Sequence, residues 1–251
     1  CLLNWGWLAG LTYLADVDPC ARIMNEGNMI PRGVYDVRPL RAWYLDDVLT
    51  KQPTLFARQL TWNLFPQLDR LIALRNPRPV FEDADLRTRY FALDWSTYHT
   101  GAGSVNGELD LIGYDLAPGR SVAAGDTISV TLIWRVDQTP DYAYQGYVHL
   151  VQPDNPAAKI ATHDAAPADL PFILPDDSPE TLATDHWRAG DLVVGRTYML
   201  TIPAETPPGD YALITGMYRW LEADGFQAVP HTGAAGDAVS ALALGVVTVA
   251  D

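Results

Sequence analysis

Lysine, cysteine and long apolar runs are all scarce in this sequence. Lys51 and Lys159 are its only lysines, and 17 basic side chains stand against 31 acidic ones, for a net charge of -14. An acidic surface repels phosphate backbones, so this balance argues against nucleic acid as a partner. The apolar stretch after Cys1 ends at Asp16, short of the roughly 20 residues that a membrane-spanning helix needs.

The start of the chain carries Cys1, and Cys20 is the only other cysteine. A disulfide between them would suit an oxidising compartment, whereas two thiols without clustered histidines give no zinc signature. The apolar opening is compatible with three interpretations: the end of a transmembrane helix, a lipoprotein with lipid on Cys1, or a buried segment. We expect a membrane tether at the N-terminus and an extracytoplasmic location in the cell envelope.

Catalytic signatures are missing as well. The sequence has no dinucleotide-binding glycine motif, phosphate-binding loop, nucleophile elbow or H-E-x-x-H zinc motif. A hydrolase built from Ser178, Asp185 and His186 is an alternative, but no sequence feature positions these residues together. We therefore expect no catalytic activity in this chain.

The charge is unevenly distributed. Residues 1–95 carry 11 basic and 11 acidic side chains, so the whole net charge comes from residues 96–251. This shift suggests a boundary near residues 95–105. From the residue patterns we expect a helical or irregular segment over 1–87 and a β-sandwich domain over 88–251.

The first part of the chain has helical periodicity. Leu40, Trp43, Tyr44 and Val48 recur at spacings of three and four, which predicts a helix over 38–50 with one apolar face. A second helix is predicted over 53–64. Pro66 cannot lie in a helix interior, so it should mark a kink or a new start.

After residue 88 the period changes from 3.6 to 2. Strands are predicted over 89–98, 108–116, 126–136, 144–153, 158–164, 192–203, 210–220 and 241–249. Short alternating strands without long helices between them indicate a mainly β protein, an antiparallel β-sandwich of Ig-like or jelly-roll-like type, preceded by the small helical segment.

The stretch PPGDY at 207–211 shows how the sequence ends one predicted strand and begins the next. Pro207 and Pro208 cannot join a ladder, and Gly209 supplies a turn. The run that follows is apolar on both faces, which predicts a central strand, with Tyr211 pointing inward.

An acidic, proline-rich segment lies between residues 164 and 187. Its carboxylates are candidates for an oxygen-only calcium site, with solvated acids as the alternative. The candidate ligands are Asp176, Asp177, Glu180 and Asp185. No other cofactor is expected.

Aromatic residues supply the candidate ligand-binding positions, because rings exposed on sandwich modules can stack on sugars. We expect Trp187, Trp220, Tyr142 and Tyr144 to be exposed, and Trp134 to point inward. His149 lies in phase with Tyr147 and Val151. We expect a core-facing histidine with a backbone partner.

Several motifs of the strand region resemble a known family. They occur at Ile112–Leu116, Ala124–Asp126, Ile133–Trp134, Val148–Leu150, Trp187–Asp191 and Pro207–Tyr211. The succession over residues 105–230 resembles the C-terminal extracytoplasmic β-sandwich of bacterial membrane glycosyltransferases of the dolichyl-phosphate-mannose mannosyltransferase type. The resemblance implies that any catalytic region lies outside this chain.

These observations lead to one expected function and several alternatives. We expect a membrane-tethered, extracytoplasmic, non-catalytic module that recognises a glycan or a protein, or serves as an accessory part of an envelope complex. The alternatives are a part of a membrane glycosyltransferase, a hydrolase using the 164–187 segment, and a structural subunit of a membrane complex.

Overall fold

A computed structural model describes residues 2–5, 38–60, 64–170 and 182–250. Cys1 and Cys20, and the candidate calcium ligands Asp176, Asp177 and Glu180, lie outside the described residues. The chain divides into two compact units: the described residues up to Ser96 form the first, and those from Thr97 onward form the second. The assignment of 1–87 and 88–251 to separate domains stays a prediction.

The first unit combines two helices with a small sheet. Its helices are α1, Arg38–Lys51, and α2, Pro66–Leu74. Its strands are β1, Leu2–Trp5; β2, Leu55–Gln59; β3, Arg78–Asp83; and β4, Thr88–Ala92, in the order β1-β2-β4-β3. Tyr44, Val48 and Phe56 are buried, and Pro66 occupies the first turn of α2, which confirms the predicted new start.

Two expectations for this unit are wrong. The segment predicted as a helix over 53–64 forms strand β2, because pairing with β1 and β4 buries Phe56 and Ala57. Tertiary pairing here overrides local periodicity. Trp43, predicted on the buried face of α1, is 51% exposed, and the buried face carries Leu45 and Leu49 instead.

The second unit contains two sheets. The described strands are β5, Tyr98–Thr100; β6, Ser104–Val105; β7, Leu109–Ala117; β8, Ser121–Ala123; β9, Thr127–Val136; β10, Gln145–Gln152; β11, Asn155–Ala165; β12, Leu192–Thr201; β13, Gly209–Leu221; β14, Gly225–Ala228; β15, His231–Thr232; β16, Ala238–Val239; and β17, Leu242–Ala250. One sheet has the order β11-β10-β13-β17-β8, with β14 paired to β13. The other has the order β12-β9-β7-β6-β15-β16, with β5 paired to β7.

The two sheets face each other across an apolar core. Trp134, Leu132 and Tyr198 of one sheet and Val148 and Leu213 of the other are almost completely buried. The fold is therefore an antiparallel β-sandwich preceded by a small helical segment, which confirms the predicted fold class. Among the described strand pairs of the second unit, only β17 with β8 is parallel.

Direct bonds also join the two sheets. The Tyr114 hydroxyl donates to the Leu244 carbonyl, and the Met217 amide donates to Nε2 of His231 at 3.0 Å. These bonds satisfy polar groups that the core would otherwise leave without partners.

The structure also sharpens the predicted strand pattern. β13 is central in its sheet, as predicted, whereas Gly209, at φ 153°, is its first residue and pairs with Val249 on β17. The single strand predicted over 89–98 is two strands, β4 and β5, which belong to different sheets. Among the described helices, none is long and apolar enough to cross a membrane.

Candidate functional site

A groove lies on the outer face of the sheet that contains β10 and β13. It encloses a volume of about 420 Å³. Its lining combines aromatic rings with a few charged and small side chains: Tyr147, His149, Pro156, Ala157, Lys159, Asp164, Ile214, Tyr218, Trp220, Phe226, Ser240 and Ala241. A concave, largely apolar surface with a few polar groups has the composition of a small-ligand site.

Strand alternation places these rings on one face. On β10, Val148 and Leu150 are fully buried in the core, so Tyr147 and His149 project from the opposite side of the sheet. On β13 the same alternation buries Leu213, Thr215 and Met217 and turns Ile214, Tyr218 and Trp220 outward. The core pattern of the two strands therefore determines the outer surface.

The rings form a continuous row across three strands. His149 and Tyr147 are stacked with centroids 4.5 Å apart, and Tyr147 and Tyr218 follow at 6.4 Å. Tyr218 and Phe226 lie 5.1 Å apart. Trp220 pairs directly with Phe226 between β13 and β14, and these two side chains are 58% and 62% exposed. Rings this exposed on a sheet face are candidates for contact with a ligand or partner.

A glycine makes room for one ring of the row. Gly216 lies directly opposite Tyr147 in the β10–β13 register. A Cβ at Gly216 would lie 2.5 Å from both the Tyr147 hydroxyl oxygen and Nε2 of His231, a distance that real contacts do not allow. The absence of a side chain at this position lets Tyr147 lie over β13.

A carboxylate lies beside the rings. Asp164 pairs with Tyr147 across β10 and β11, and its Oδ1 lies 2.7 Å from Nε2 of His149. An ionised carboxylate only accepts hydrogen bonds, so Nε2 of His149 is the donor. Burial, with a smaller contribution from the nearby Asp164, raises the pKa of Tyr218. Asp164 thus bonds one ring of the groove and lies near two others, while its side chain remains 42% exposed.

This environment also shifts the pKa values of two other side chains in the groove, Tyr147 and His149. Burial, with a smaller contribution from Asp164, raises the pKa of Tyr147 to about 12. Burial lowers the pKa of His149 below its ordinary value, and Lys159 adds to this effect while Asp164 opposes it. The lowered pKa favours the neutral form of His149 at neutral pH. The expectation of a core-facing His149 with a backbone partner is wrong, because the side chain lies on the outer face and its partner is a carboxylate.

A second aromatic cluster lies near the far end of β13. The guanidinium of Arg219 lies over the rings of Tyr142 and Tyr144, at 5.3 and 5.7 Å from their centroids. The Tyr144 hydroxyl donates to Glu108 at 2.7 Å and accepts from Asn106 at 3.0 Å. Tyr144 is 1% exposed, so this cluster is internally bonded packing rather than an open surface.

The four predicted ligand-binding aromatics have different surroundings. Trp220 lines the groove, and the Tyr142 hydroxyl donates to the Trp220 carbonyl at 2.6 Å. Trp187 is completely buried and donates from Nε1 to the Leu182 carbonyl at 2.9 Å. The expected exposure of Trp187 and Tyr144 is wrong, because both rings are enclosed by the packing around Thr184, whose hydroxyl bonds the Tyr144 amide.

The structure describes only one of the four predicted calcium ligands. Asp185 lies in a short 3₁₀ turn, Thr184–His186, and the other three candidate calcium ligands belong to the undescribed residues. Within the described ranges, no group of three or more His, Cys, Asp or Glu side chains is placed to hold a metal ion.

Most of the groove was missed by the sequence reasoning. Tyr147, Tyr218, Phe226 and Asp164 were not selected as site residues. The signal for the first two was present, since they alternate with core residues on adjacent predicted strands. The pairing of β11 with β10 and of β14 with β13, which adds Asp164 and Phe226, required the structure.

The comparisons with known proteins show no family. No protein-family model matches the chain, and no curated protein sequence matches it. Among solved structures, the crystal structure of the C-terminal domain of Wzt superposes with a TM-score of 0.35 at 12% sequence identity, over 62% of this chain and 81% of that one.

Proposed function

We propose that this chain is a non-catalytic recognition module that binds a glycan in the groove of β10, β13 and β14. The feature that carries the proposal is the row of rings from His149 through Tyr147 and Tyr218 to Phe226, ending at the exposed Trp220. The C–H face of a sugar ring is apolar and packs against an aromatic face, while the sugar's hydroxyl edge requires hydrogen-bond partners.

The groove supplies both kinds of contact. Its rings offer flat apolar surface, and its edges carry Asp164, Lys159 and Ser240, all of which are exposed. Exposed lining residues at both ends, such as Pro156 and Phe226, suit a ligand that continues beyond the groove. An oligosaccharide has this combination of extended shape, apolar faces and dense hydroxyl groups.

The test compares rings inside and outside the groove at matched exposure. Binding of the purified chain to a glycan array is followed by titration calorimetry with the best oligosaccharide, for the wild type and for W220A and F226A. Each change should weaken binding by about 10- to 30-fold, since removal of a central aromatic contact typically costs about 2 kcal/mol.

The controls are W43A and F81A. Trp43 and Phe81 are 51% and 61% exposed, belong to the first unit and are not among the residues that line the groove. Both controls should bind like the wild type. If no glycan binds, or if the two pairs of variants weaken binding equally, the groove is not a glycan site.

We also propose, on the family resemblance, that the module is the extracytoplasmic part of a membrane-associated envelope protein related to glycosyltransferases. The support is the motif succession over residues 105–230 and the apolar stretch that ends at Asp16. Protease accessibility of the full-length protein in intact and in permeabilised cells tests the location. Protection in intact cells followed by cleavage after permeabilisation of the inner membrane would contradict it.

A further inference from the structure

We infer that Asp164 determines specificity in the groove, selecting neutral, hydroxyl-rich sugars and rejecting sugars that carry a carboxylate or phosphate next to the aromatic row. The inference rests on the proposed function and adds a substrate class to it. Its basis is the position of one fixed carboxylate beside the rings that would hold the sugar.

Asp164 is held in place by a bond to His149 and by its place in the sheet. Nε2 of His149 lies 2.7 Å from its Oδ1, and Asp164 pairs with Tyr147 across β10 and β11. His149 is itself only 6% exposed and is stacked on Tyr147. A carboxylate supported in this way keeps a defined orientation, so a ligand meets a preorganised acceptor.

Part of the carboxylate remains open to the groove. The Asp164 side chain is 42% exposed although His149 bonds to it. A carboxylate has about four acceptor positions and no donor, so its remaining capacity is satisfied only by a donor such as a sugar hydroxyl. Hydrogen bonds to an ionised acceptor are stronger than neutral ones, which makes a hydroxyl at this point a strong contact.

The same carboxylate opposes an acidic ligand. The other charged lining residue, Lys159, pairs with Val151 on β10, whereas Asp164 pairs with Tyr147. Four residues along a strand separate these positions by roughly 13 Å. Lys159 therefore lies toward the His149 end of the row, and an anionic group stacked beside Tyr147 and Tyr218 would face Asp164. Like charges at close range are an effective means of excluding the wrong ligand.

His149 acts as a positioning residue for this carboxylate. Its ring places a donor against Asp164 without reaching the exposed part of the carboxylate. H149Q keeps a side-chain N–H donor, whereas H149F keeps a ring and removes the donor. If His149 positions Asp164, H149Q should retain most of the discrimination between neutral and acidic sugars, and H149F should lose it.

The experiment measures selectivity rather than affinity alone. Titration calorimetry is run with the best neutral oligosaccharide from the array and with its uronic-acid counterpart, for the wild type, D164N and D210N. Asp210 lies at the start of β13, outside the groove lining, where it accepts a hydrogen bond from Thr248. D210N therefore removes the same charge from the acidic chain without changing the groove, and the thermal midpoint of each variant checks folding.

The wild type should prefer the neutral ligand by at least about 10-fold. D164N should weaken neutral binding about 10-fold and strengthen acidic binding by a similar factor, since a charge-assisted bond becomes a neutral one and the repulsion disappears. D210N should leave the ratio unchanged.

Two results overturn the inference while leaving glycan binding intact: a wild type that binds the acidic ligand as well as the neutral one, and a D164N variant with the wild-type ratio. Loss of all glycan binding in the wild type instead overturns the proposed function, and the inference with it.

Discussion

Two aromatic clusters lie near the same strand, β13, and they differ in what surrounds their rings. In the cluster of Tyr142 and Tyr144, Arg219 covers the ring faces and Glu108 and Asn106 bond the Tyr144 hydroxyl. In the groove, the rings lie next to one another in a stacked or tilted row and leave Trp220 and Phe226 facing solvent. Aromatic content therefore does not identify a binding surface. What matters is whether other residues of the chain already cover the ring faces and bond the hydroxyl groups.

The comparison predicts that the enclosed cluster contributes stability and the groove contributes binding. The largest effect is expected for Y144A, which removes a ring that is 1% exposed together with the hydrogen bonds of its hydroxyl group. We expect the free energy of unfolding, measured by urea denaturation, to fall by about 3–5 kcal/mol. W220A, at 58% exposure, should change it by less than about 1 kcal/mol. Equal losses for the two variants would remove the distinction between the clusters.

The second test acts on the groove without touching its rings. G216A introduces a Cβ against the Tyr147 hydroxyl and against His231, whose Nε2 already accepts the Met217 amide. Overpacking of this kind should lower the free energy of unfolding by about 1–3 kcal/mol and shift the Tyr147 ring. The measurements are urea denaturation and glycan affinity on the same protein. Unchanged glycan affinity in a destabilised G216A would show that the position of Tyr147 does not matter for binding.

The third test uses pH, because the groove contains a histidine and the enclosed cluster has none among its bonded residues. Burial lowers the pKa of His149, and of His99 and His231 as well. The unfolded chain then binds more protons than the folded one in the range below about pH 6.5. Stability is therefore complete above pH 6.5 and decreases as the pH falls from there toward the lowered pKa values.

The size of this effect is at most about 1.4 kcal/mol per pH unit for each histidine. The charged or titratable side chains that line the groove around His149 are Asp164, Lys159, Tyr147 and Tyr218. H149Q should flatten the decline of the thermal midpoint between pH 7 and pH 5, whereas Y142F should not. A decline of the same slope in H149Q and the wild type would contradict this assignment.

The smallest test is Y142F, at the point where the two clusters meet. It removes the hydrogen bond from the Tyr142 hydroxyl to the Trp220 carbonyl, 2.6 Å long, and keeps the ring under Arg219. We expect a loss of about 0.5–1 kcal/mol in unfolding free energy and less than a threefold change in glycan affinity. A loss of binding as large as that of W220A would place Tyr142 in the site itself.

The fold could be predicted from the sequence wherever one face of a helix or strand is buried and the other is exposed to solvent. β9 shows this, since Ile128, Val130 and Trp134 alternate with polar neighbours and are buried as expected. β2 could not be predicted, because its short apolar segment has no decisive period and its strand form depends on β1 and β4. Short segments of this kind take their structure from partners that are distant in the sequence.

Less of the candidate site than of the fold could be predicted from the sequence. Trp220 could be selected because it lies at the end of an apolar strand before a turn. Trp187 also lies at the edge of a loop, yet it is buried, and it donates to the carbonyls of Thr184 and Leu182. Exposure of an aromatic ring depends on how the folded chain packs around it, which the type of residue and its position beside a turn do not determine.

The support beneath the groove has a kinetic consequence. Tyr147 and Tyr218 are carried by β10 and β13, which are paired along their length with β11 and β17 as well as with each other, so no loop has to close to complete the row. A surface that is rigid before its partner arrives loses little conformational entropy on association. Substitutions in the row should therefore act mainly on how long a bound glycan stays, with the rate of arrival nearly constant, a division that surface plasmon resonance separates directly.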